Sequence, residues 1–396
     1  MIIVGNRTST TVKSLETANG TYTYTYDAAG NILSINDGTY TVSYVYDGLN
    51  QLVRENDQRA DTTTVYTYTN GNITGKKVYK YTLGDVGEEI KSTSYGYSNS
   101  EWRDLLTSFN GQAVTYDEIG NPLTFGSKSF EWCGRQLERI TDGDNTYVYA
   151  YNTDGDRVSK TVNGVKTEYF YNGSILAGQK TGDETLIFMY DNNGDAFGFI
   201  YNGEEYYYIK NVQNDIVAIA DKNGTVVANY YYDAWGNVTQ ITGNTALAQT
   251  NPLRYRSYYY DSETGYYHLK SRYYNPELCR FINADSVDVL DEDQNNVLEN
   301  NLFAYCLNNP VNMVDDGKMS NAIRSTAPLG ILTTGLLFGW QVSAAIIIAI
   351  ATIVVVQILV VYAKSKRETG RPELKNKDER DLKKRNKKEQ VGKKVR

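Results

Sequence analysis

Through much of the chain ahead of residue 250, apolar and polar positions alternate residue by residue. Thr21-Tyr22-Thr23-Tyr24-Thr25-Tyr26 places its tyrosines on one side and its threonines on the other, because strand side chains repeat every two residues. Tyr and Thr are both good strand residues, and Tyr can bury its ring while its hydroxyl finds a partner. The alternation stops at a recurring signal: Tyr-Asp, two variable residues, then Gly-Asn. It stands at Tyr26-Asp27 with Gly30-Asn31, at Tyr116-Asp117 with Gly120-Asn121, and at Tyr232-Asp233 with Gly236-Asn237. Looser copies begin at Tyr46-Asp47, Tyr151-Asn152 and Tyr190-Asp191. Asp can accept backbone N–H bonds two residues on, and Gly supplies positive φ without steric cost. Asn50 replaces Gly in the second copy, and Asn is the next-best tenant of a left-handed position.

After each such turn a short strand follows, such as Ile32-Leu33-Ser34-Ile35, and often ends in Asn-Gly or Asp-Gly. Asp37-Gly38, Asn70-Gly71, Asn110-Gly111, Asn163-Gly164, Asn202-Gly203 and Asn223-Gly224 are candidate tight hairpin turns. The pattern predicts strand, Asp-led turn, strand, glycine turn, repeated, with almost no helix between Thr21 and about Tyr260. Repetition of one hairpin-like unit argues for a stacked shell, scaffold or surface protein over a fold built round one catalytic core.

Composition sharpens this. Tyr occurs 36 times against 10 Phe and 4 Trp, while 6 Pro and 33 Gly argue against a disordered or collagen-like chain. The net charge of −7 hides an asymmetry: residues 364–396 carry 15 Lys/Arg and 6 Asp/Glu, leaving 25 basic and 41 acidic residues elsewhere. An acidic body with a basic tail gives the tail a separate role. Cys133, Cys279 and Cys306 are scattered and suit neither a disulfide framework nor a zinc site. No secretory signal peptide is visible in residues 1–7. Gly5-Asn6-Arg7 looks like the second half of a turn, so the expectation is a chain that begins in mid-repeat, truncated at both ends.

From Asn251 the repeat yields to a distinctive stretch: Arg254-Tyr255-Arg256-Ser257-Tyr258-Tyr259-Tyr260-Asp261 through Gly265-Tyr266-Tyr267, then Arg272-Tyr273-Tyr274-Asn275-Pro276-Glu277 and Arg280-Phe281-Ile282-Asn283-Ala284-Asp285. It closes with Asn301-Leu302-Phe303-Ala304-Tyr305-Cys306-Leu307-Asn308-Asn309-Pro310-Val311-Asn312. This resembles the bacterial rearrangement-hot-spot (RHS) repeat-associated core, and the Tyr-Asp turns match the same family, which includes the YD shells of teneurins and of insecticidal toxin-complex subunits. The resemblance spans roughly residues 5–317. It implies an all-β fold, a YD-repeat sheet wound in a spiral into a hollow shell, with the core plugging one end and a C-terminal extension inside as toxin. Expected partners are then a toxin cargo and an immunity protein. The resemblance also implies self-cleavage by a pair of Asp-Pro-x-Gly motifs, whose aspartates map onto Asp285 and Asp315. Two carboxylates sharing one proton can activate water against a peptide bond. Here both motifs depart from the pattern: Asp285 is followed by Ser286-Val287-Asp288, and Asp315 by Asp316-Gly317. Asn275 and Cys279 also stand where Asp and Gly are usual. These departures favour a structural remnant over a working dyad, and an active enzyme is not the expectation.

Asp291, Asp293 and Asn295 mimic the first ligands of a calcium loop, but Asn296 replaces the turn glycine and Leu302 the closing Glu, which favours a solvated acidic loop. His268, the only histidine, lacks a nucleophile or second metal ligand beside it and reads as a packing or hydrogen-bonding residue. No metal or cofactor is expected. The tyrosines and tryptophans have the rings for carbohydrate stacking, although strand packing also accounts for them.

Residues 325–363 hold no Asp, Glu, Lys or Arg, and Ala344 to Ala363 is an apolar run broken only by Thr352 and Gln357. Its length matches a bilayer core, Trp340 and Tyr362 suit interface positions, and Lys364-Ser365-Lys366-Arg367 follows directly. A transmembrane helix is expected at 344–363, a helix stored within the shell being the alternative. A basic, disordered tail follows at 364–396. The tail shows no nuclease, deaminase or transferase constellation, and nucleic acid is not an expected partner.

The domains expected are a shell at 1–250, a plug at 251–317 and a linker at 318–343, then the helix and tail. The function expected is encapsulation and delivery of a polymorphic toxin in intercellular competition. A membrane-anchored surface adhesion protein, with carbohydrate as a candidate ligand, is the alternative. Either role places the chain at a membrane or cell surface, or in the secreted fraction.

Overall fold

The structure is a computed structural model that describes residues 11–286 and 301–315, with the backbone of Ile323–Arg324. The chain divides into two units, Met1–Thr333 and Thr334–Arg396, and every described residue belongs to the first. The half-turn expected at Gly5-Asn6-Arg7, the acidic loop at 291–295, the linker at 318–343 apart from Ile323–Arg324, the helix at 344–363 and the tail at 364–396 lie outside the described residues. Among those described, no helix is long and apolar enough to cross a membrane.

Residues 14–243 form one 23-stranded antiparallel sheet. Each strand pairs with the one before and the one after, from Ser14–Thr17 against Gly20–Tyr26 to Val226–Tyr232 against Val238–Gly243. The predicted alternation sets the faces. Tyr24, Tyr44, Tyr149, Tyr208 and Tyr230, each two residues ahead of a strand end, are buried, as are Tyr66, Tyr95 and Tyr169 within one to three residues of theirs. Burying a ring of this size contributes about 1.5–3 kcal/mol.

The Asp-led turns are built as their letters require. At the first, the Asp27 N–H donates to the Asn31 carbonyl (2.9 Å) and the Gly30 N–H to the Asp27 carbonyl (3.2 Å). Asp27 Oδ1 accepts from the Asn31 N–H and Oδ2 from Asn31 Nδ2, both at 2.8 Å. Asp117–Asn121 and Asp233–Asn237 repeat the pair of contacts, and Gln51 takes the Asn role at Asp47. Before each of these turns the ladder slips by one residue, between Thr25 and Tyr26, Val45 and Tyr46, Thr115 and Tyr116, and Tyr231 and Tyr232. This is the signature of a β-bulge, which leaves one residue of the bulged strand out of the pairing. The terminal tyrosine then reaches back to the preceding repeat. The Tyr26 hydroxyl donates to the Val12 carbonyl (2.6 Å), Tyr46 to Ile32 (2.7 Å), Tyr68 to Leu52 (2.6 Å), Tyr190 to Leu176 (2.9 Å) and Tyr232 to Ile216 (2.8 Å). Each link is worth about 0.5–1.5 kcal/mol. A tyrosine-rich composition thus has a structural cause.

Four expected Asn-Gly hairpins have positive φ at both residues: Asn70-Gly71, Asn110-Gly111, Asn163-Gly164 and Asn202-Gly203. Asn223-Gly224 differs. It lies inside an Asp-led turn, where the Asp221 N–H donates to the Thr225 carbonyl (2.9 Å) and the Gly224 N–H to the Asp221 carbonyl (2.9 Å). Another such turn, Asn211 to Asp215, has no Tyr-Asp signal, and Asn214 takes its left-handed position. The expectation of almost no helix before about Tyr260 is met, with one short α-helix, Thr245–Thr250, capped by the Asn244 side chain accepting from the Leu247 N–H (3.1 Å).

The two ends of the ribbon meet. The Ala234 N–H donates to Glu55 Oε1 (2.8 Å), Lys76 approaches Asp233 (3.5 Å), and the Arg59 guanidinium lies over the Tyr231 ring (4.1 Å). Tyr22 packs with Ile209, Val217, Ala218, Ala220 and Val226. After the helix, Tyr259–Asp261, Tyr266–Leu269, Arg272–Asn275 and Arg280–Phe281 make a separate four-stranded sheet.

Candidate functional site

The segment from Asn251 to Asp315 touches the ribbon through its turns. Asn31, Gln51 and Asn72 follow alternate turns of the ribbon, and each meets an asparagine of the Asn301–Asn312 stretch. Asn309 Nδ2 donates to Asn31 Oδ1 (3.4 Å), Asn308 Nδ2 to Gln51 Oε1 (2.9 Å), and Asn301 Nδ2 to Asn72 Oδ1 (2.8 Å). Asn312 Oδ1 accepts from the Ile32 N–H (2.7 Å). Holding these amides requires left-handed backbone at three consecutive non-glycine residues, Cys306, Leu307 and Asn308. That conformation is costly for Leu. On the far side Asn237 Nδ2 donates to the Pro276 carbonyl (2.9 Å), and the Tyr267 and Tyr274 hydroxyls to the carbonyls of Gly236 (2.8 Å) and Trp235 (2.7 Å).

Charges buried in this segment find partners. The Arg157 guanidinium of the ribbon forks onto both Asp261 oxygens at 2.6 and 3.0 Å. It lies 5.1–5.3 Å from the rings of Tyr149, Tyr169 and Tyr259. Lys160 joins Asp261 (2.9 Å) and Glu263 (2.8 Å). Asp261 is completely buried, yet Arg157 and Lys160 outweigh that burial and hold its carboxyl below the usual range. Arg256 is enclosed by carbonyls, donating to Gln213 (2.6 Å) and to Pro310.

Asp285 and Asp315 come together on Arg272. One guanidinium nitrogen pairs with Asp285 Oδ2 and the other with Asp315 Oδ2, each at 2.7 Å. The guanidinium rests 3.8 Å from the Phe281 ring centroid. The Asp285 N–H donates to the Leu302 carbonyl (3.0 Å), and Asp285 Oδ1 accepts from the Ser286 N–H (2.8 Å). The Asp315 carbonyl accepts from the Tyr258 hydroxyl (2.6 Å). Arg135 donates to the Ala284 carbonyl (2.7 Å), fixing the approach to Asp285. The two oxygens facing Arg272 are occupied by N–H donors, an arrangement suited to clamping two chain segments.

Arg157, Arg256 and Arg272 escaped the sequence reading. For Arg256 and Arg272 the signal is an arginine set among tyrosines, since a buried cation demands a partner, whereas Arg157, between Asp154-Gly155-Asp156 and Ser159-Lys160, carries no such mark. Asn275 Oδ1 accepts from the Glu277 N–H (2.9 Å), performing the turn role of an aspartate. Cys279, in the glycine place, has φ 57°. His268 packs 5.1 Å from the Tyr273 ring, and burial, then Arg157, lowers it to about 3. Cys133 is exposed, Cys279 and Cys306 are buried, and all three are free thiols. No group of residues suited to a metal ion occurs among the described residues.

The sequence profile of the teneurin YD-shell family matches residues 74–311. The chain belongs to that family. Among curated YD-shell relatives, the tRNA nuclease WapA of Bacillus subtilis (strain 168) is 35% identical over 260 residues, which is 64% of this chain but 11% of WapA. The double-stranded DNA deaminase toxin A of Burkholderia cenocepacia (strain H111) is 36% identical over 70 residues, covering 17% of this chain and 5% of that protein. The chain therefore spans a small fraction of each. In fold, the YD-shell chain is similar to the TcdB2-TccC3-Cdc42 crystal structure (TM-score 0.59, 19% identity, 75% of this chain and 17% of that one). It is also similar to the Photorhabdus luminescens Tc holotoxin pore with the TccC3 mutation D651A (TM-score 0.57, 18% identity, 77% and 17%).

Proposed function

We propose that residues 11–315 are wall and plug of a hollow shell that encloses and delivers a toxin polypeptide, the plug beginning near Asn251. The observation that carries this reading is the Asn251–Asp315 segment lying against the ribbon and bonded to turns from Asn31 to Asn237, while early strands of the ribbon meet its late strands and last turn. The relatives add support. Their names assign different chemistries, tRNA cleavage and DNA deamination, to proteins that resemble this chain over 260 and 70 residues, which suits a common carrier. A cargo of this kind calls for an immunity protein in the producing cell, and delivery calls for export to the cell surface or beyond. In this reading Asp285, Arg272 and Asp315 form a clamp at the plug, not a protease.

The tail supplies the test. Residues 364–396 hold 15 Lys/Arg, so trypsin should trim an exposed tail at once and spare an enclosed one until the shell unfolds. Rapid trimming of the native protein would sink the container. Intact-mass measurement tests the clamp separately: the purified chain should stay at 44.6 kDa, and a shorter species abolished by Asp285→Asn or Asp315→Asn would restore the protease.

A further inference from the structure

The contact between the ribbon's ends is built around a carboxyl group with little access to water. Glu55 lies in the strand Leu52–Asp57 and is 3% exposed. Its Oε1 accepts from the Ala234 N–H (2.8 Å), and its Oε2 from the Tyr66 hydroxyl (3.2 Å). The Tyr66 ring meets Trp235, fully buried in the same turn as Ala234, at 5.9 Å edge to face. One glutamate thus ties an early strand to a turn 179 residues later. No β-ladder joins these regions: the strands pair only with their sequence neighbours.

The charged and titratable surroundings are mixed. Asp57 shares the strand, Tyr44 and Tyr46 come from Thr41–Tyr46, Tyr66 from Thr62–Thr69, and Lys76 from Asn72–Lys80. Asp233 comes from the opposing turn and Cys279 from the core segment. Arg59, which lies over Tyr231, is paired with Asp37. Burial comes first, then Asp233 and Asp57, in pushing the Glu55 carboxyl well above the ordinary range, against a pull from Lys76. Burial also raises Asp57. Lys76 is raised by Cys279, Asp233 and Glu55 against its own burial, so its effect falls above the ordinary lysine range.

We propose that Glu55 is a proton-operated clasp: protonated, it holds the first and last parts of the ribbon together, and ionised, it releases them while the ladders stay intact. The sign follows from linkage. If the open state hydrates Glu55 and restores an ordinary carboxyl, the closed state binds the proton more tightly. Closure is then favoured fully below the ordinary glutamate value and fades as pH rises through the raised one. Asp57 works in the same direction. A Gln at position 55 can still accept from Ala234 and reach Tyr66, but cannot ionise.

Hydrogen exchange of the full chain, corrected for the intrinsic pH dependence of exchange, reads this directly at the Ala234 amide. Between about pH 5 and about pH 9, wild-type protection there should fall about tenfold or more, while the ladder amides of Asn145–Tyr151 hold theirs. In Glu55→Gln it should stay flat. Flat wild-type protection, a uniform loss across the sheet, or the same profile in Glu55→Gln would each overturn the clasp. Should Glu55→Gln fail to fold, Lys76→Met supplies the second arm. Losing that cation should move the midpoint of release to higher pH, and an unmoved midpoint would refute the idea.

Discussion

The ribbon and the core segment solve opposite problems with the same residue types. In the ribbon, a polar side chain serves its own turn or the preceding repeat: Asp27 binds Asn31, and Tyr46 reaches Ile32. In the core segment, partners lie far along the chain, as Asp261 does from Arg157 and Asn308 from Gln51. Local satisfaction leaves those turn contacts independent of the rest of the fold, while ribbon residues such as Arg157 and Glu55 answer to distant partners. Long-range satisfaction makes the core intolerant, because removing one partner strands another in a dry site.

The most severe break should come at the buried fork. Arg157→Ala leaves Asp261 with Lys160 alone, and a loss of about 3–5 kcal/mol is expected by chemical denaturation. This pair also dictates an acid response. Asp261 is held below the usual range, so its stabilisation is complete above the ordinary carboxylate value and drains away as pH falls towards the lowered one. Asp261→Asn should flatten that acid limb. Next comes a glycine contrast. At Gly236 (φ +89°) an added Cβ would lie 2.5 Å from the Tyr255 ring, whereas at Gly164 (φ +87°) it meets nothing within 4 Å. Gly164→Ala should cost about 1–2 kcal/mol for backbone strain alone, and Gly236→Ala clearly more. Asn308→Ala, which deprives Gln51 and the Gly71 carbonyl of a donor, should cost about 1–3 kcal/mol. Tyr46→Phe removes one link of the ribbon and should be mildest, at about 0.5–1.5 kcal/mol. Equal losses from Asn308→Ala and Tyr46→Phe would erase the distinction between the regions.

The same division governed what could be read in advance. Strand faces, the Asp-led turns and four Asn-Gly hairpins were legible because each is decided within a few residues. The turn from Asn211 to Asp215 was not, because Lys210 stands in the tyrosine place and Asn214 in that of glycine. Burial holds that lysine down at about 8. In the core, family resemblance located Asp285 and Asp315, and the tyrosines beside Arg272 mark it for burial, but no spacing in the sequence pairs it with those two aspartates. Its role depends on strands and loops that only the tertiary fold assembles. The left-handed Cys306-Leu307-Asn308 run likewise contradicts local preference and persists because the asparagine contacts over-determine it.

The tyrosine that precedes each of these ribbon turns has an evolutionary consequence. The hydroxyls of Tyr26, Tyr46, Tyr68, Tyr190 and Tyr232 each find their acceptor 14–16 residues back, in the unit just completed, so a duplicated unit brings both halves of that fastening. A module inserted between those repeats would carry its own tyrosine joints, and only the turns that meet the Asn251–Asp315 segment would need a new register.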